Sequence, residues 1–138
     1  MTGIRRGDFG DLAAVAAIQE ASPEAPRWKV SEYLQYDFRV ALRDNRIAGF
    51  LVSRGLADGE SEVLNLAVAP EFRRQGIARD LVAALVAEDP GKVYLEVRES
   101  NQAALNLYKS MGFEEVGKRQ KYYETPLEAA IVMKFHSC

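Results

Sequence analysis

The sequence predicts an α+β fold in which a central, mixed and mostly antiparallel sheet of about seven strands is flanked by about four helices. Short segments alternate apolar with polar residues, which is typical of strands, while others repeat apolar residues at helical spacing. Their order gives an antiparallel start, a strand-helix-strand crossover and an antiparallel finish. With 138 residues, 48% of them hydrophobic, the chain is expected to be a single domain over residues 1–138.

The first half of the chain is predicted to hold a strand, two helices and a hairpin. Asp8 suits an N-cap and Asp11 a first-turn acid, with Leu12, Val15 and Ala16 following at helical spacing. A helix-breaking stretch, residues 22–26, precedes a second short helix, and Asp44-Asn45 turns an antiparallel hairpin. In order, we expect a strand around Ile4, helices over residues 8–21 and 31–38, and strands over residues 38–42 and 47–53.

The second half is predicted to contain the crossover. EVLNLAV is a buried strand, and a strongly periodic helix follows Gly76 until Pro90-Gly91 ends it. Asn101 and Gly112 bound the last helix as its caps. In order, we expect a loop over residues 56–61, a strand over 62–68, a loop over 70–75, a helix over 77–88, a strand over 92–97, a helix over 101–111, and strands over 113–123 and 130–135.

Composition excludes several classes of function. Lys and Arg number 18 against 20 Asp and Glu, a net charge of −2, so no nucleic-acid partner is expected. Apolar runs are far shorter than the roughly 20 residues that span a bilayer, and no leader pattern opens the chain, so a cytoplasmic protein without a membrane partner is expected. Cys138 is the only cysteine and His136 the only histidine of the sequence. No Cys/His cluster for a metal is therefore expected, and there is little scope for a Ser-His-Asp triad. Residues 136–138 are expected to be a disordered tail without a role, and the protein a monomer or homodimer.

A basic turn between the strand at 62–68 and the helix at 77–88 predicts a phosphate-binding site. Exposed N–H groups and the positive dipole end at a helix start attract phosphate oxygens, and glycine permits close backbone approach. Neither a Walker loop nor a dinucleotide fingerprint is present. An ordinary capped helix with solvated arginines is the alternative, and the strand-turn-helix context favours the phosphate site. The turn comprises Arg73, Arg74, Gln75, Gly76, Ile77, Ala78 and Arg79.

Glu96 is the candidate general base. It shares one face of the strand at 92–97 with Tyr94, while the apolar residues Val93, Leu95 and Val97 share the other. Burial raises the pKa of a carboxyl group, which suits a base near neutral pH. A structural ion pair with an arginine is the alternative.

Several of these segments together resemble a known family. They are VAPEFRRQGIA at residues 68–78, LEVR at 95–98, Asn101, and LY through MGF at 107–113. They resemble the GNAT superfamily of acetyl-CoA-dependent N-acetyltransferases, and within it the ribosomal-protein-alanine (RimI-type) branch. Tyr122-Tyr123 and the last strand also fit, so the likeness covers nearly the whole chain. It implies the GNAT fold and acetyl-CoA as cosubstrate, without a metal.

The resemblance also implies a role for each candidate. Glu96 is the base that takes the amine proton, and Tyr108 protonates the departing CoA thiolate, although its spacing alone suits a core aromatic. The amine attacks the thioester directly, and strand backbone N–H groups polarise its carbonyl. The cofactor-binding residues implied are Leu66, Ala67, Val68, Arg73, Arg74, Gln75, Gly76, Ile77, Ala78, Arg79 and Asn101, of which Asn101 also suits a plain helix N-cap.

The implied acceptor is the N-terminal alanine of a small-subunit ribosomal protein. An α-amino group has a pKa of about 7.7–8.0 against about 10.4 for lysine, so a modest base suffices. The branch usually has Glu-Asp-Ala where this chain has Glu128-Ala129-Ala130, and the connection over residues 124–127 is short; both bear on peptide specificity. The implied lining residues, each of which also suits a structural role, are Trp28, Glu62, Tyr122 and Tyr123.

Other functions stay open on the sequence alone. One is a GNAT enzyme that acts on a small-molecule amine or a lysine side chain. Another is a non-catalytic acyl-CoA-binding module, against which the presence of both Glu96 and Tyr108 argues. Nucleic-acid binding through the arginines is disfavoured, because the positive charge is confined to one turn.

Overall fold

Seven strands form one sheet in the computed structural model, which describes residues 3–22, 28–88, 91–124 and 127–136, with backbone only at residues 58, 121–124 and 127. The strands are β1 Gly3–Arg6, β2 Asp37–Arg43, β3 Arg46–Gly55, β4 Glu60–Val68, β5 Lys92–Arg98, β6 Glu114–Glu124 and β7 Leu127–His136. The α-helices are α1 Leu12–Glu20, α2 Ile77–Glu88 and α3 Gln102–Ser110. Short 3-10 helices cover Phe9–Asp11, Val30–Gln35, Ala57–Gly59 and Pro70–Phe72.

The strand order is β1-β2-β3-β4-β5-β7-β6. β1 with β2, β2 with β3, β5 with β7 and β6 with β7 pair antiparallel, whereas β4 and β5 pair in parallel. Parallel neighbours need a crossover connection, and α2 lies in the chain between β4 and β5. The mixed, mostly antiparallel sheet predicted from the sequence is confirmed.

The chain divides into two compact units. The first comprises Met1–Arg54 and Val63–Glu88, and the second Gly55–Glu62 and Asp89–Cys138. β4 contributes to both, and its three parallel pairs with β5, Glu60 with Lys92 to Glu62 with Tyr94, lie in the second. The single domain expected from the sequence stays a prediction.

The core of the first unit is aromatic at its centre. The ring of Tyr33, fully buried, lies 5.9 Å from that of Phe38 and 5.7 Å from that of Phe50. The periodic pattern of α2 predicts an apolar face of Ile77, Leu81, Val82, Leu85 and Val86; the first four are buried and Val86 is half-buried. The predicted β2–β3 hairpin is also confirmed, and both turn residues, Asp44 and Asn45, have the positive φ that a tight two-residue hairpin requires.

The core of the second unit lies on one face of β5. The side chains of this strand alternate as predicted, with Val93, Leu95 and Val97 buried. The ring of Phe113 lies 5.6 Å from that of Tyr108 on α3 and 5.3 Å from that of Phe135 on β7. Because antiparallel partners point to the same side of a sheet and Phe135 pairs with Val93, this aromatic row packs on the apolar face of β5.

The amino-terminal helix begins with a capping box. The Asp8 side chain accepts from the N–H of Gly10, and the Asp11 side chain accepts from the N–H of Asp8, each at 2.9 Å. The turn that is capped in this way is the 3-10 helix Phe9–Asp11. α1 starts at Leu12, and its buried residues are Val15, Ile18 and Gln19. Of the three residues at helical spacing, Val15 is buried, Leu12 is half-buried and Ala16 is exposed.

Three further expectations need correction. The helix predicted over residues 31–38 is a 3-10 helix that ends at Gln35, because Phe38 is buried in β2 against Tyr33. The loop predicted over residues 56–61 is shorter, since β4 already begins at Glu60. His136 is not part of a disordered tail: it is the last residue of β7 and pairs with Lys92, while residues 137 and 138 lie outside the described residues. None of the described helices is long and apolar enough to cross a membrane.

The atoms packed around Gly49 on β3 leave no room for a larger side chain. A Cβ at this position would lie 2.9 Å from the carbonyl oxygen of Ala67 and 3.2 Å from Cγ2 of Ile77. We expect Gly49→Ala to lower the free energy of unfolding by about 1–3 kcal/mol, as other overpacked cores do. Urea denaturation measures it. Gly55→Ala, on the same strand with nothing within 4 Å of its Cβ, is the matched control, and an equal effect of both variants would contradict this account.

Candidate active site

The basic turn before α2 has the backbone geometry of an anion site. Arg74 and Gly76 both have positive φ, at 64° and 81°, so the chain reverses sharply before the helix begins. Nothing lies within 4 Å of where a Cβ on Gly76 would be, which leaves the backbone open to approach. Ile77 is buried, whereas the Arg74 and Arg79 side chains are exposed and Ala78 half-buried. Charge and exposed helix N–H groups therefore coincide here, as phosphate binding requires.

Two polar side chains of this turn, those of Arg73 and Gln75, are hydrogen-bonded within the protein. Arg73 donates from Nε to the carbonyl of Val68 at 3.3 Å and from Nη2 to that of Ala21 at 3.2 Å. The Gln75 side chain accepts from Arg43 Nη1 at 2.6 Å. Arg73 thus fixes the turn against the end of α1, and Arg43, which no sequence motif marks, orients Gln75. The side chains of Arg73, Arg74 and Arg79 are all exposed, so the turn presents positive charge to solvent.

The end of β4 carries Leu66, Ala67 and Val68, the residues predicted to lie along the cofactor. Ala67 is buried, and Leu66 and Val68 are half-buried. The Leu66 N–H donates to Oδ1 of Asn65 at 2.9 Å, and the Val68 carbonyl accepts from Arg73. Side chains therefore fix the backbone of this segment at two points.

Asn65 is the centre of a buried polar network that the sequence analysis missed. Its Nδ2 donates to Gln19 Oε1 at 3.0 Å and to the hydroxyl of Tyr33 at 2.9 Å, and the Tyr33 hydroxyl donates to the same Gln19 oxygen. Gln19 Nε2 donates onward to the carbonyl of Trp28 at 2.8 Å. Burial raises the pKa of Tyr33. Trp28, predicted to line the substrate site, is half-buried with its ring edge against Tyr36, so the network links its backbone to β4.

Glu96 lies on the polar face of β5, as predicted, with its side chain 18% exposed. Its Oε1 is 2.8 Å from Nε of Arg119 on β6, so the ion pair that the sequence left as an alternative is present. Burial raises the pKa of Glu96, the positive charge of Arg119 lowers it, and the negative charge of Glu62 raises it, with a net increase. A carboxylate with a raised pKa is a stronger base than an ordinary glutamate, which suits proton transfer from an amine.

Tyr108 is buried beside Phe113, on the apolar side of β5. Burial raises its pKa, so the phenol stays protonated throughout the neutral range. These surroundings match the core aromatic that its spacing suggests, and its role as an acid stays a prediction. Glu96 and Tyr108 are thus placed toward opposite faces of β5, although both belong to the second unit.

Asn101 is the N-cap of α3, since its Oδ1 accepts from the N–H of Ala104 at 3.2 Å. Glu128 on β7 fixes the turn before it. Its carboxylate accepts from Arg98 Nη1 and from both the N–H and the hydroxyl of Ser100, each at 3.1 Å. Although burial acts to raise the pKa of Glu128, the bonds from Ser100 and Arg98 hold it below its usual range. The sequence marked Glu128 only as part of a divergent motif.

Of the remaining residues predicted to line the substrate site, the structure describes the side chain of Glu62 but not those of Tyr122 and Tyr123. Glu62 is half-buried on β4, opposite Tyr94 in the parallel ladder and close enough to Glu96 to affect its charge. Tyr122 and Tyr123 belong to β6, but their side chains lie outside the described part of the structure. Among the residues that the structure describes, no three His, Cys, Asp or Glu side chains are grouped as a metal site would need.

The sheet order, with a strand-turn-helix segment before α2 and a half-buried carboxylate on β5, is that of the N-acetyltransferase fold class. The chain belongs to the acetyltransferase (GNAT) family, whose model matches residues 10–113. It is 41% identical over 96 residues to the [ribosomal protein bS18]-alanine N-acetyltransferase of Salmonella typhimurium, which covers 65% of this chain and 64% of that relative. The match thus spans less than two thirds of the relative's length.

Solved structures show the same fold. The crystal structure of the ribosomal-protein-S18-alanine N-acetyltransferase from Escherichia coli superposes with a TM-score of 0.85 at 30% identity, over 98% of this chain and 93% of that one. Ard1 from Thermoplasma volcanium superposes with a TM-score of 0.89 at 24% identity, over 99% of this chain and 98% of that one. The predicted GNAT fold is confirmed.

Glu128 gives a pH-dependent prediction. Because its pKa is lowered in the folded protein, its contribution is fully present above the ordinary glutamate pKa of about 4.3 and is lost as the pH falls through the lower folded value. Glu128→Gln should therefore lower the free energy of unfolding by about 1 kcal/mol at neutral pH, and less in acid. Denaturation at several pH values measures this. Glu114→Gln, at an exposed position of β6, is the control, and a loss independent of pH would contradict the assignment.

Proposed function

We propose that this protein is an acetyl-CoA-dependent N-acetyltransferase that modifies the N-terminal α-amine of a protein, namely the N-terminal alanine of a small-subunit ribosomal protein. The observation that carries the proposal is a half-buried carboxylate, Glu96, on the polar face of β5 in a chain of the GNAT family. The names of the relatives from Salmonella typhimurium and Escherichia coli, 41% and 38% identical, support the acceptor.

In this proposal acetyl-CoA binds through its pyrophosphate to the N–H groups of Gly76, Ile77 and Ala78, with Arg74 and Arg79 supplying charge. Exposure of these two arginines and the open space at Gly76 support that assignment. The pantetheine lies along residues 66–68, and Asn101 contributes a further contact. Arg73 and Gln75, which the sequence analysis placed with the cofactor, act by holding the turn in shape.

The chemistry proposed is direct transfer. A neutral amine attacks the thioester carbonyl, a C–N bond forms and the C–S bond breaks, with no acyl-enzyme. Glu96 takes the proton that the nitrogen loses, and its raised pKa favours this step. Tyr108 gives its proton to the leaving thiolate; burial keeps the phenol protonated before this step but, by raising its pKa, also makes it a weaker acid. An α-amine loses its proton at lower pH than a lysine side chain, which makes a protein N-terminus the easier acceptor for a single carboxylate.

A second candidate is a GNAT enzyme for a small-molecule amine or a lysine side chain. The observation that favours it is Ala129, which stands where the RimI-type branch has an aspartate. Ala129 is only 6% exposed and its neighbour Glu128 is engaged by Arg98 and Ser100, so nothing at this motif replaces that carboxylate. A cytoplasmic monomer or homodimer, without nucleic-acid or membrane partners, goes with either candidate as a prediction.

The acceptor is tested by competition. Purified protein is incubated with acetyl-CoA and a mixture of Ala-, Ser- and Met-starting peptides, N-blocked lysine peptides and polyamines, and acetylation is read by mass spectrometry. We expect transfer to free alanine N-termini first. Transfer only to polyamines or lysine would contradict the acceptor and support the second candidate, and no transfer despite acetyl-CoA binding would support a non-catalytic module.

The two catalytic assignments are tested by single-atom changes. We expect Glu96→Gln to lower kcat by about 100-fold or more with acetyl-CoA binding retained, because general bases contribute about that much. Tyr108→Phe should also lower kcat, since the proton donor is removed while the ring that packs on Phe113 is kept. Steady-state kinetics and calorimetric titration with acetyl-CoA measure both. An unchanged rate in either variant removes that residue from the mechanism.

A further inference from the structure

Three charged side chains from three strands meet on the polar face of the second unit. Glu96 comes from the middle of β5, Arg119 from β6 and Glu62 from β4. Glu96 is the least exposed member of its ion pair: its side chain is 18% exposed against 59% for Arg119. A carboxylate that has lost most of its water therefore depends on a neighbouring cation for its charge.

The polar side chains beside Glu96 on β5 are engaged with partners of their own. On the same face of β5, Tyr94 donates its hydroxyl to Glu60 and Arg98 is bound by Glu128. On β7, the residue opposite Glu96 is Val132, and Lys134 stands opposite Tyr94. Among the described contacts, the 2.8 Å one to Arg119 favours the charged form of Glu96. The negative charge of Glu62 disfavours that form.

This contact also has an orientation. Nε of Arg119 lies 2.8 Å from Oε1 of Glu96, so the guanidinium faces that oxygen of the carboxylate. The Arg119 side chain is 59% exposed, so the cation of the pair faces solvent while the carboxylate is largely buried.

We propose that Arg119 is a positioning residue for Glu96: it holds Oε1 so that Oε2 receives the proton of the acceptor amine, and it counteracts Glu62, so that Arg119 and Glu62 together set the lowest pH at which acetyl transfer proceeds. This inference rests on the proposed function, in which Glu96 is the base. A protonated Glu96 cannot accept a proton, so any change that favours its neutral form slows transfer at low pH.

The two neighbours should act in opposite directions. Removing the positive charge, in Arg119→Gln, raises the pKa of Glu96 further, whereas removing the negative charge, in Glu62→Gln, lowers it. The titration of the Glu96 carboxyl carbon, followed by 13C NMR and assigned by its loss in Glu96→Gln, should move up by about one pH unit in Arg119→Gln and down in Glu62→Gln. Arg119→Lys, which keeps the charge, should restore most of the wild-type midpoint.

The kinetic readout is the ratio of variant to wild-type kcat/KM with an alanine-starting peptide between pH 5 and pH 8.5. The amine titrates identically in all variants and cancels in this ratio. For Arg119→Gln the ratio should fall by about tenfold toward low pH, and for Glu62→Gln it should rise toward low pH. Lys118→Gln is the matched control, because Lys118 is the next residue of β6 and pairs with Glu99 instead; its ratio should be independent of pH.

The outcomes separate the inference from the function on which it rests. An Arg119→Gln protein that folds normally by thermal melting but leaves the NMR midpoint unchanged overturns the inference. A loss of activity at every pH, also with an unchanged midpoint, assigns Arg119 a purely structural role and overturns it as well. A midpoint that moves as expected in a wild-type background that acetylates no amine overturns the proposed function and supports the control of Glu96 by Arg119.

Discussion

The alternation of β5 is the constraint on which the rest of the second unit depends. Three apolar side chains fill the core on one face of this strand, so the residues between them must stand on the other. Glu96 is therefore fixed at its site by the packing of its neighbours rather than by a loop. The core aromatics Phe113 and Phe135 pack on one side of this strand, and the ion pair of Glu96 with Arg119 lies on the other.

In the first unit, side-chain hydrogen bonds hold the exposed turn before α2 in a fixed conformation. The turn before α2 uses positive φ at Arg74 and Gly76, a conformation that is strained for any residue but glycine, and the bonds from Arg73 keep it in place. Behind it, the network of Gln19, Tyr33 and Asn65 is buried and mutually hydrogen-bonded, so it is rigid. In the proposed function, N–H groups preorganised in this way bind the pyrophosphate without a cost of reordering.

Local patterns in the sequence predicted most of the fold. The capping box at Asp8, the Asp44-Asn45 hairpin and the two faces of β5 are each set by a few adjacent residues, and all are present. The second helix was predicted too long because the burial of Phe38 in β2, a tertiary effect, outweighs its local pattern. Contacts between distant residues could not be predicted: Arg119 is 23 residues from Glu96 in the chain, and Gln19 is 46 from Asn65. The sequence could mark Glu96 as a candidate base but could not indicate that Arg119 is its ion-pair partner.

The most direct test of this account is a crystal structure of the protein with a conjugate of CoA and an alanine-starting peptide, in which one molecule occupies both substrate positions. We predict that the nitrogen of the alanine lies within about 3.2 Å of Glu96 Oε2 or one water away, with Arg119 still on Oε1. The pyrophosphate should accept bonds from the N–H groups of Gly76 to Ala78. An alanine nitrogen beyond the reach of Glu96, or a pyrophosphate bound away from this turn, would contradict it.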